Sequence, residues 1–211
     1  MKVLKFIILS LFFLGCGSKK QSNFEKTHQN EEVNILFIGN SLTYTNNLPK
    51  LVINEAKEKE ITVKTKLIAF PNYALIDHWN DSKVQKEIAS KNYDYVIVQQ
   101  GPSSQAFGKS ILLDYGQKFS ALCKENNTKL CYFMVWPSLT YYKTFDDVIN
   151  NHKEAATKND AILLPVGEVW KTYFDSTQKF DYYSEDGFHP SLKGSKFSAK
   201  IIVQYLFEKN N

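Results

Sequence analysis

Residues 35–41 read Ile35-Leu36-Phe37-Ile38-Gly39-Asn40-Ser41, an unbroken apolar run that ends in a small, polar turn. A strand with one face in solvent alternates apolar and polar residues, whereas a strand covered on both faces is apolar throughout. This stretch therefore predicts a central strand of a parallel sheet that carries helices on both sides. Three later runs have the same character and indicate further buried strands: residues 96–98, 131–135 and 162–164.

One further run has the pattern of an edge strand. Its apolar or β-branched residues Ile61, Val63, Thr65 and Leu67 alternate with Thr62, Lys64 and Lys66. Alternation of this kind indicates a strand that is half exposed. Because this run is second along the chain, it favours the strand order 2-1-3-4-5.

Helical periodicity separates the strands. Apolar residues recur at helical spacing near residues 48–56, 111–122 and 192–206, with Asn47 and Pro49 as start signals for the first of these helices. Alternating strands and helices predict a three-layer α/β/α sandwich with a mostly parallel five-stranded sheet. We assign it to residues 33–211.

The composition excludes several classes of protein. The chain has 211 residues, 43% hydrophobic and 23% charged, which is typical of a globular protein and not of a disordered or multi-span membrane chain. Its net charge of +4, from 26 basic and 22 acidic residues, forms no clustered basic face. We therefore expect no nucleic-acid partner.

The first 16 residues, MKVLKFIILSLFFLGC, combine two lysines with an apolar run too short to span a bilayer. This segment resembles a bacterial lipoprotein signal, which implies that Cys16 is lipidated and anchors the chain in the cell envelope. Residues 17–32 are polar and predict a tether. The alternative is a plain signal peptide with a chance cysteine.

Two further cysteines, Cys123 and Cys131, follow in the domain. Export permits a disulfide, but we expect buried free thiols, since the two belong to different predicted elements. No cysteine and histidine spacing indicates a metal site.

Two polar segments stand at predicted strand or helix ends. Gly39-Asn40-Ser41 follows the first strand, and Asp186-Gly187-Phe188-His189 precedes the last helix. Ligands of such sheets bind at the carboxyl ends of the strands. A serine needs a base to become a nucleophile, and a histidine held by a carboxylate supplies one. The candidates are Ser41, His189 and Asp186.

These segments resemble the first and last blocks of the SGNH (GDSL-type) hydrolases, with Asn40 in place of the usual Asp. The resemblance covers most of residues 34–206 and implies a flavodoxin-like fold, ester hydrolysis and no cofactor or metal. Ser41 is then the nucleophile, His189 the base and Asp186 its orienting residue.

The middle blocks of that family supply oxyanion donors, and here the sequence departs from the pattern. Asn72, after Pro71, stands where a glycine is usual, and Gln99 or Gln100 stands in place of an asparagine. The resemblance therefore implies an oxyanion hole from the N–H groups of Ser41 and Asn72 and an amide of Gln99, with Gln100 as second choice. Gln99 alternatively satisfies backbone groups.

Aromatic residues occur in several predicted loops at the site, and we expect Tyr44, Tyr73 and Trp136 to contact substrate. His78, in a predicted helix, is interpreted as a packing or capping residue.

The leading hypothesis is a monomeric, lipid-anchored serine esterase for an O-acyl ester, such as an acetyl group on a glycan. The alternative is a glycan-binding module that has lost activity. A third reading, a phosphate loop for a flavin at Ser41, Thr43 and Thr45, leaves Asp186 and His189 unexplained.

Overall fold

The computed structural model describes residues 32–90 and 92–208. The predicted signal segment with its predicted lipidation site, Cys16, and residues 17–31 of the predicted tether lie outside the described residues. Within the described part of the chain, no helix combines the length and apolarity that a membrane span requires.

Five parallel strands form a single sheet in the order β2-β1-β3-β4-β5, as the sequence predicts. The strands are β1 (Val33–Gly39), β2 (Val63–Ala69), β3 (Tyr95–Val98), β4 (Lys129–Phe133) and β5 (Ile162–Leu164).

Eight α-helices connect or flank these strands: α1 (Ser41–Tyr44), α2 (Leu48–Lys57), α3 (Leu75–Asn80), α4 (Lys83–Ser90), α5 (Ala106–Glu125), α6 (Phe145–Lys158), α7 (Val166–Thr177) and α8 (Leu192–Phe207), counted over the described residues. Two short 3₁₀ helices, Thr45–Asn47 and Leu139–Thr144, follow α1 and precede α6.

The central strands are covered on both faces, and β1 shows how. Ile35 and Phe37 belong to one hydrophobic core with α2, α7 and α8, whereas Leu36 and Ile38 belong to a second core with α3, α4 and α5. All four side chains have no exposed surface. The unbroken apolar run therefore reflects two helix layers, one on each side of the sheet.

Several predicted strand boundaries are wrong by up to two residues. β2 begins at Val63, because the N–H of Ile61 bonds to the carbonyl of Ala56 and closes the turn after α2. β4 begins at the exposed Lys129, which pairs with Tyr95, and ends at Phe133. Hydrophobicity alone does not reveal either end.

Cys123 and Cys131 are buried free thiols, which confirms the prediction. They lie in different cores, on opposite faces of the sheet, so the two sulfurs do not meet.

Candidate active site

The turn after β1 presents Ser41 at the first position of α1. Asn40 caps this helix: its side-chain Oδ1 accepts from Leu42 N, and its backbone carbonyl accepts from the N–H groups of Thr43 and Tyr44. Three of the first four N–H groups of the helix are thereby satisfied. The remaining one belongs to Ser41, and no acceptor for it is found among the described residues.

Gln99 lies directly beneath this turn, at the end of the neighbouring strand β3. Its Oε1 accepts two hydrogen bonds of 2.9 Å, from the Asn40 N–H and from the Thr43 hydroxyl. A Cβ on Gly39 would lie 2.4 Å from Thr43 Oγ1 and 2.6 Å from Gln99 Oε1. Glycine at position 39 therefore allows the Gln99 carboxamide to reach the turn.

The second half of the site is the Asp-Gly-Phe-His loop before α8. The Oδ1 atom of Asp186 accepts from the Ser184 hydroxyl and from the N–H groups of Phe188 and His189. Its Oδ2 is 2.6 Å from Nδ1 of His189. These bonds, with that to His189 the largest cause, hold the pKa of Asp186 well below its usual range. Asp186 is therefore an anion at neutral pH.

The structure brings Ser41, His189 and Asp186 together, although Ser41 and His189 are 148 positions apart. Nε2 of His189 is 2.9 Å from Ser41 Oγ. Because an ionised carboxylate only accepts hydrogen bonds, Nδ1 of His189 carries the proton shared with Asp186, and Nε2 is free to accept from the Ser41 hydroxyl. This order of groups suits removal of the hydroxyl proton during nucleophilic attack.

Two side chains outside the triad bond to the segment that carries His189 or to the helix after it. Asn46 donates from Nδ2 to the carbonyl of Pro190 and to Ser195 Oγ, which ties the segment after α1 to the histidine loop. Trp136 Nε1 donates to the carbonyl of Phe188 at 2.9 Å. Neither role could be predicted from the sequence, since an Asn or Trp in a loop carries no signal for a partner so distant in the chain.

The candidate oxyanion donors occupy different environments. Asn72 is exposed and has a φ of 61°, a backbone conformation that favours glycine, in keeping with its match to a glycine position. Gln99 is fully buried, and its Nε2 has no partner among the described residues. Gln100 is 6% exposed, and its Oε1 accepts from Leu75 N. Gln99 thus fits the alternative of satisfying backbone groups.

The prediction that Trp136 contacts substrate is wrong. The side chain has no exposed surface and stacks on Trp170 with ring centroids 3.6 Å apart. Position at a strand end did not reveal that the chain continues into the core after β4 through the buried residues Met134 and Val135.

The other two predicted aromatic contacts lie nearer the surface. Tyr44 and Tyr73 are half-buried, and Tyr73 packs against His78 with ring centroids 5.0 Å apart. His78 itself is buried, and Nε2 bonds to the carbonyl of Gly39 at 2.8 Å. Burial lowers the pKa of His78, so the ring is neutral and packs beneath the nucleophile turn, as interpreted from the sequence.

The described residues contain no cluster of three or more histidine, cysteine or carboxylate side chains arranged to hold a metal ion.

No protein-family model matches the sequence, and no curated protein matches it. Solved structures do match the fold. A protein from Slackia heliotrinireducens, described as a candidate SGNH hydrolase, superposes with a TM-score of 0.72 at 20% identity, covering 83% of this chain and 100% of that one.

Two other similar structures are named for ester chemistry. A lipase/acylhydrolase from Enterococcus faecalis has a TM-score of 0.65 at 14% identity, covering 82% of this chain and 94% of its own. A variant of an acetyl-xylooligosaccharide esterase from Geobacillus Stearmophilus has a TM-score of 0.62 at 15% identity, covering 83% and 94%. At these identities the likeness establishes a common fold.

Proposed function

We propose that this protein is a serine-dependent ester hydrolase of the SGNH type. The observation that carries the proposal is the continuous hydrogen-bonded series Ser41–His189–Asp186, with distances of 2.9 Å and 2.6 Å. The fold shared with structures named as lipases and esterases supports the same reaction class.

In the first step, Ser41 Oγ attacks the carbonyl carbon of the ester while its proton moves to Nε2 of His189. The tetrahedral intermediate carries a negative oxygen, which the N–H groups of Ser41 and Asn72 would stabilise. Loss of one such donor typically reduces kcat by about 100-fold to 1000-fold. The intermediate collapses when the C–O bond to the alcohol breaks and Nε2 donates its proton to the departing oxygen.

The second step releases the acyl group. Water attacks the acyl-Ser41 carbonyl, and its proton passes to Nε2 of His189. The bond to Oγ then breaks and Oγ recovers the proton from Nε2, which restores the starting state. Throughout, the Asp186 anion keeps Nδ1 protonated and stabilises the imidazolium that forms twice per cycle.

We propose an O-acetyl group on a glycan as the ester. One structure with this fold is named an acetyl-xylooligosaccharide esterase, and another is named an acetyl xylan esterase. Aromatic rings at the surface, among them Tyr44 and Tyr73, favour a substrate that contains sugar rings.

The test is hydrolysis of p-nitrophenyl acetate and acetylated xylotriose by the purified full-length chain and Ser41→Ala. We expect Ser41→Ala to lower kcat by about 10⁴-fold or more. Ser176→Ala, an exposed serine at the end of α7 that bonds only to the Tyr173 carbonyl, serves as the matched control. Equal rates for wild type and Ser41→Ala would contradict the proposal.

The alternative is an inactive glycan-binding module with the same fold. The departures at Asn72 and Gln99, and the burial of the Gln99 amide, favour it. A fluorophosphonate probe decides between the two, because an activated serine forms a covalent adduct. Labelling of wild type but not of Ser41→Ala supports the esterase, and absence of labelling supports the binding module.

We further propose that Cys16 carries a lipid that anchors a single copy of the domain to the cell envelope. Residues 1–16 support this through their charged start and apolar run. Mass spectrometry of the mature chain from a bacterial host should give an acylated N-terminal cysteine, which Cys16→Ser would abolish. Gel filtration in detergent would test the single copy.

A further inference from the structure

A cleft of about 600 Å³ has Phe188, the residue before His189, in its lining. Its walls come from the loop after β3, the loop after β4 and Phe188 of the histidine loop. The Phe188 ring meets the His189 ring edge-on, with centroids 5.2 Å apart. Phe188 therefore links the cleft to the imidazole of His189. A second cleft of similar size lies at the amino ends of the strands, beside the first residues of β4 and β5. It is therefore at the other end of the sheet from Ser41.

The chemical character of the cleft is neutral. It is lined by the aromatic rings of Tyr141 and Phe188 and by the saturated rings of Pro102 and Pro137, and none of the described residues in its walls is charged. Tyr141 is 63% exposed and has no aromatic partner among the described residues, so one face of its ring is available.

Polar side chains between these rings are also available. Ser138 and Gln105 occupy the N-cap positions of the 3₁₀ helix 139–144 and of α5, yet neither side chain makes a capping hydrogen bond. Ser191, by contrast, caps α8 through its hydroxyl. With Ser104, these residues offer hydroxyl and amide groups for which no partner is found in the described part of the chain.

We infer that this cleft binds the alcohol part of the ester and that this part is a neutral sugar; the inference rests on the proposed function. His189 Nε2 must donate its proton to the departing alcohol oxygen, so the alcohol lies on the imidazole side of Ser41. Rings with free faces, neutral polar groups between them and a volume in the range of small-molecule sites suit sugar hydroxyls and C–H faces. An acyl chain would require neither the hydroxyls nor the amide.

The first experiment compares two esters of the same acid, acetylated xylotriose and ethyl acetate, with the full-length chain, Tyr141→Ala and Tyr141→Phe. We expect Tyr141→Ala to lower kcat/KM about tenfold for acetylated xylotriose and less than about twofold for ethyl acetate, because one stacking face is lost. Tyr141→Phe keeps the ring and should stay within about twofold of wild type on both esters.

Equal losses on the two esters would overturn the inference. So would a change, in Tyr141→Ala, in the relative rates on ethyl acetate, ethyl butyrate and ethyl octanoate, since that result would assign the cleft to the acyl group.

A binding measurement separates this inference from the proposed function. Unacetylated xylotriose is titrated by calorimetry into Ser41→Ala and into Ser41→Ala/Tyr141→Ala, and we expect the double variant to bind about tenfold more weakly. If no ester is hydrolysed but xylotriose binds through Tyr141, the cleft assignment stands and the esterase proposal fails. Absence of xylotriose binding to Ser41→Ala would overturn the cleft assignment.

Discussion

Asp186 uses both carboxylate oxygens, one on the His189 ring and one on three donors of its own loop. An amide has a single acceptor oxygen, so the side chain in Asp186→Asn cannot accept hydrogen bonds at two atoms as the carboxylate does. We expect kcat for p-nitrophenyl acetate to fall about 10³-fold to 10⁴-fold, because the imidazole loses its tautomer and the stabilisation of its charged form.

Asp181→Asn is the matched control for that variant. Asp181 is an exposed carboxylate whose side chain pairs with Lys193. This pair lies outside the triad, so kcat should stay within about twofold. Similar losses in the two variants would show that the effect of Asp186→Asn comes from charge at the loop and not from the imidazole.

Gln99 is expected to position the nucleophile turn. Gln99→Ala removes the acceptor for Asn40 N and the Thr43 hydroxyl in a fully buried place. The free energy of unfolding should fall by about 1–3 kcal/mol per unsatisfied group, and kcat should fall with it. Thr43→Val, which removes one of the two bonds, should give an intermediate loss in thermal denaturation. A large loss of kcat in Gln99→Ala with unchanged stability would instead indicate a direct oxyanion donor.

The grouping of Ser41, His189 and Asp186 could be predicted from the sequence, because each residue is of a distinctive type and stands in a distinctive local motif. The roles of Gln99 and Trp136 could not. A glutamine or tryptophan at a strand end has the same sequence signal whether it points to solvent or to the interior. What decides is the packing of residues far away in the chain, such as Gly39 or Trp170.

At the level of elements, the loop after β4 supports the histidine loop. Leu139 N bonds to the Gly187 carbonyl at 2.7 Å, and Tyr183 donates its hydroxyl to the carbonyl of Pro137. Gly187 has a φ of +65°, a conformation that an L side chain adopts only with strain. These contacts fix the direction in which His189 faces.

Trp136→Phe tests this support, because it removes the indole donor to the Phe188 carbonyl. Trp170→Phe is its control: Trp170 Nε1 has no partner among the described residues, so that variant loses only ring volume. We expect both to lower the melting temperature and Trp136→Phe to reduce kcat several-fold more. Equal kcat values would show that the Phe188 carbonyl needs no such donor.

The order of the strands was predictable, since each buried strand is a continuous apolar run, and the three predicted apolar stripes correspond to α2, α5 and α8. The exact ends of the strands were less predictable. Lys129 extends β4 by backbone pairing with Tyr95, which its charged side chain conceals. Backbone hydrogen bonds are available to every residue except proline, so they leave no trace in side-chain type.

At the scale of the whole molecule, a buried neutral histidine makes stability depend on pH. His152 in α6 has no exposed surface; its Nδ1 bonds to the Val148 carbonyl. Burial lowers its pKa from 6.5 to about 4. Between pH 6.5 and about pH 4, the imidazole of His152 is therefore protonated in the unfolded chain but neutral in the folded chain. The free energy of unfolding thus falls as the pH drops through this range.

We expect about 3 kcal/mol of stability to be lost between pH 6.5 and pH 4 through His152. Urea unfolding of the wild type and of His152→Leu at a series of pH values measures it. His152→Leu should show a shallower decline, with a remainder from His78, whose pKa is also lowered by burial. Parallel pH curves for the two proteins would contradict this assignment.

The 148-residue separation between Ser41 and His189 has a consequence for biosynthesis. As the chain leaves the ribosome, the Ser41 hydroxyl emerges 148 residues before its imidazole partner. Under the proposed function, a chain synthesised only as far as the residues before His189 cannot yet hydrolyse esters of the producing cell. Regain of ester turnover during refolding would accordingly report closure of the entire topology, not the formation of any single segment.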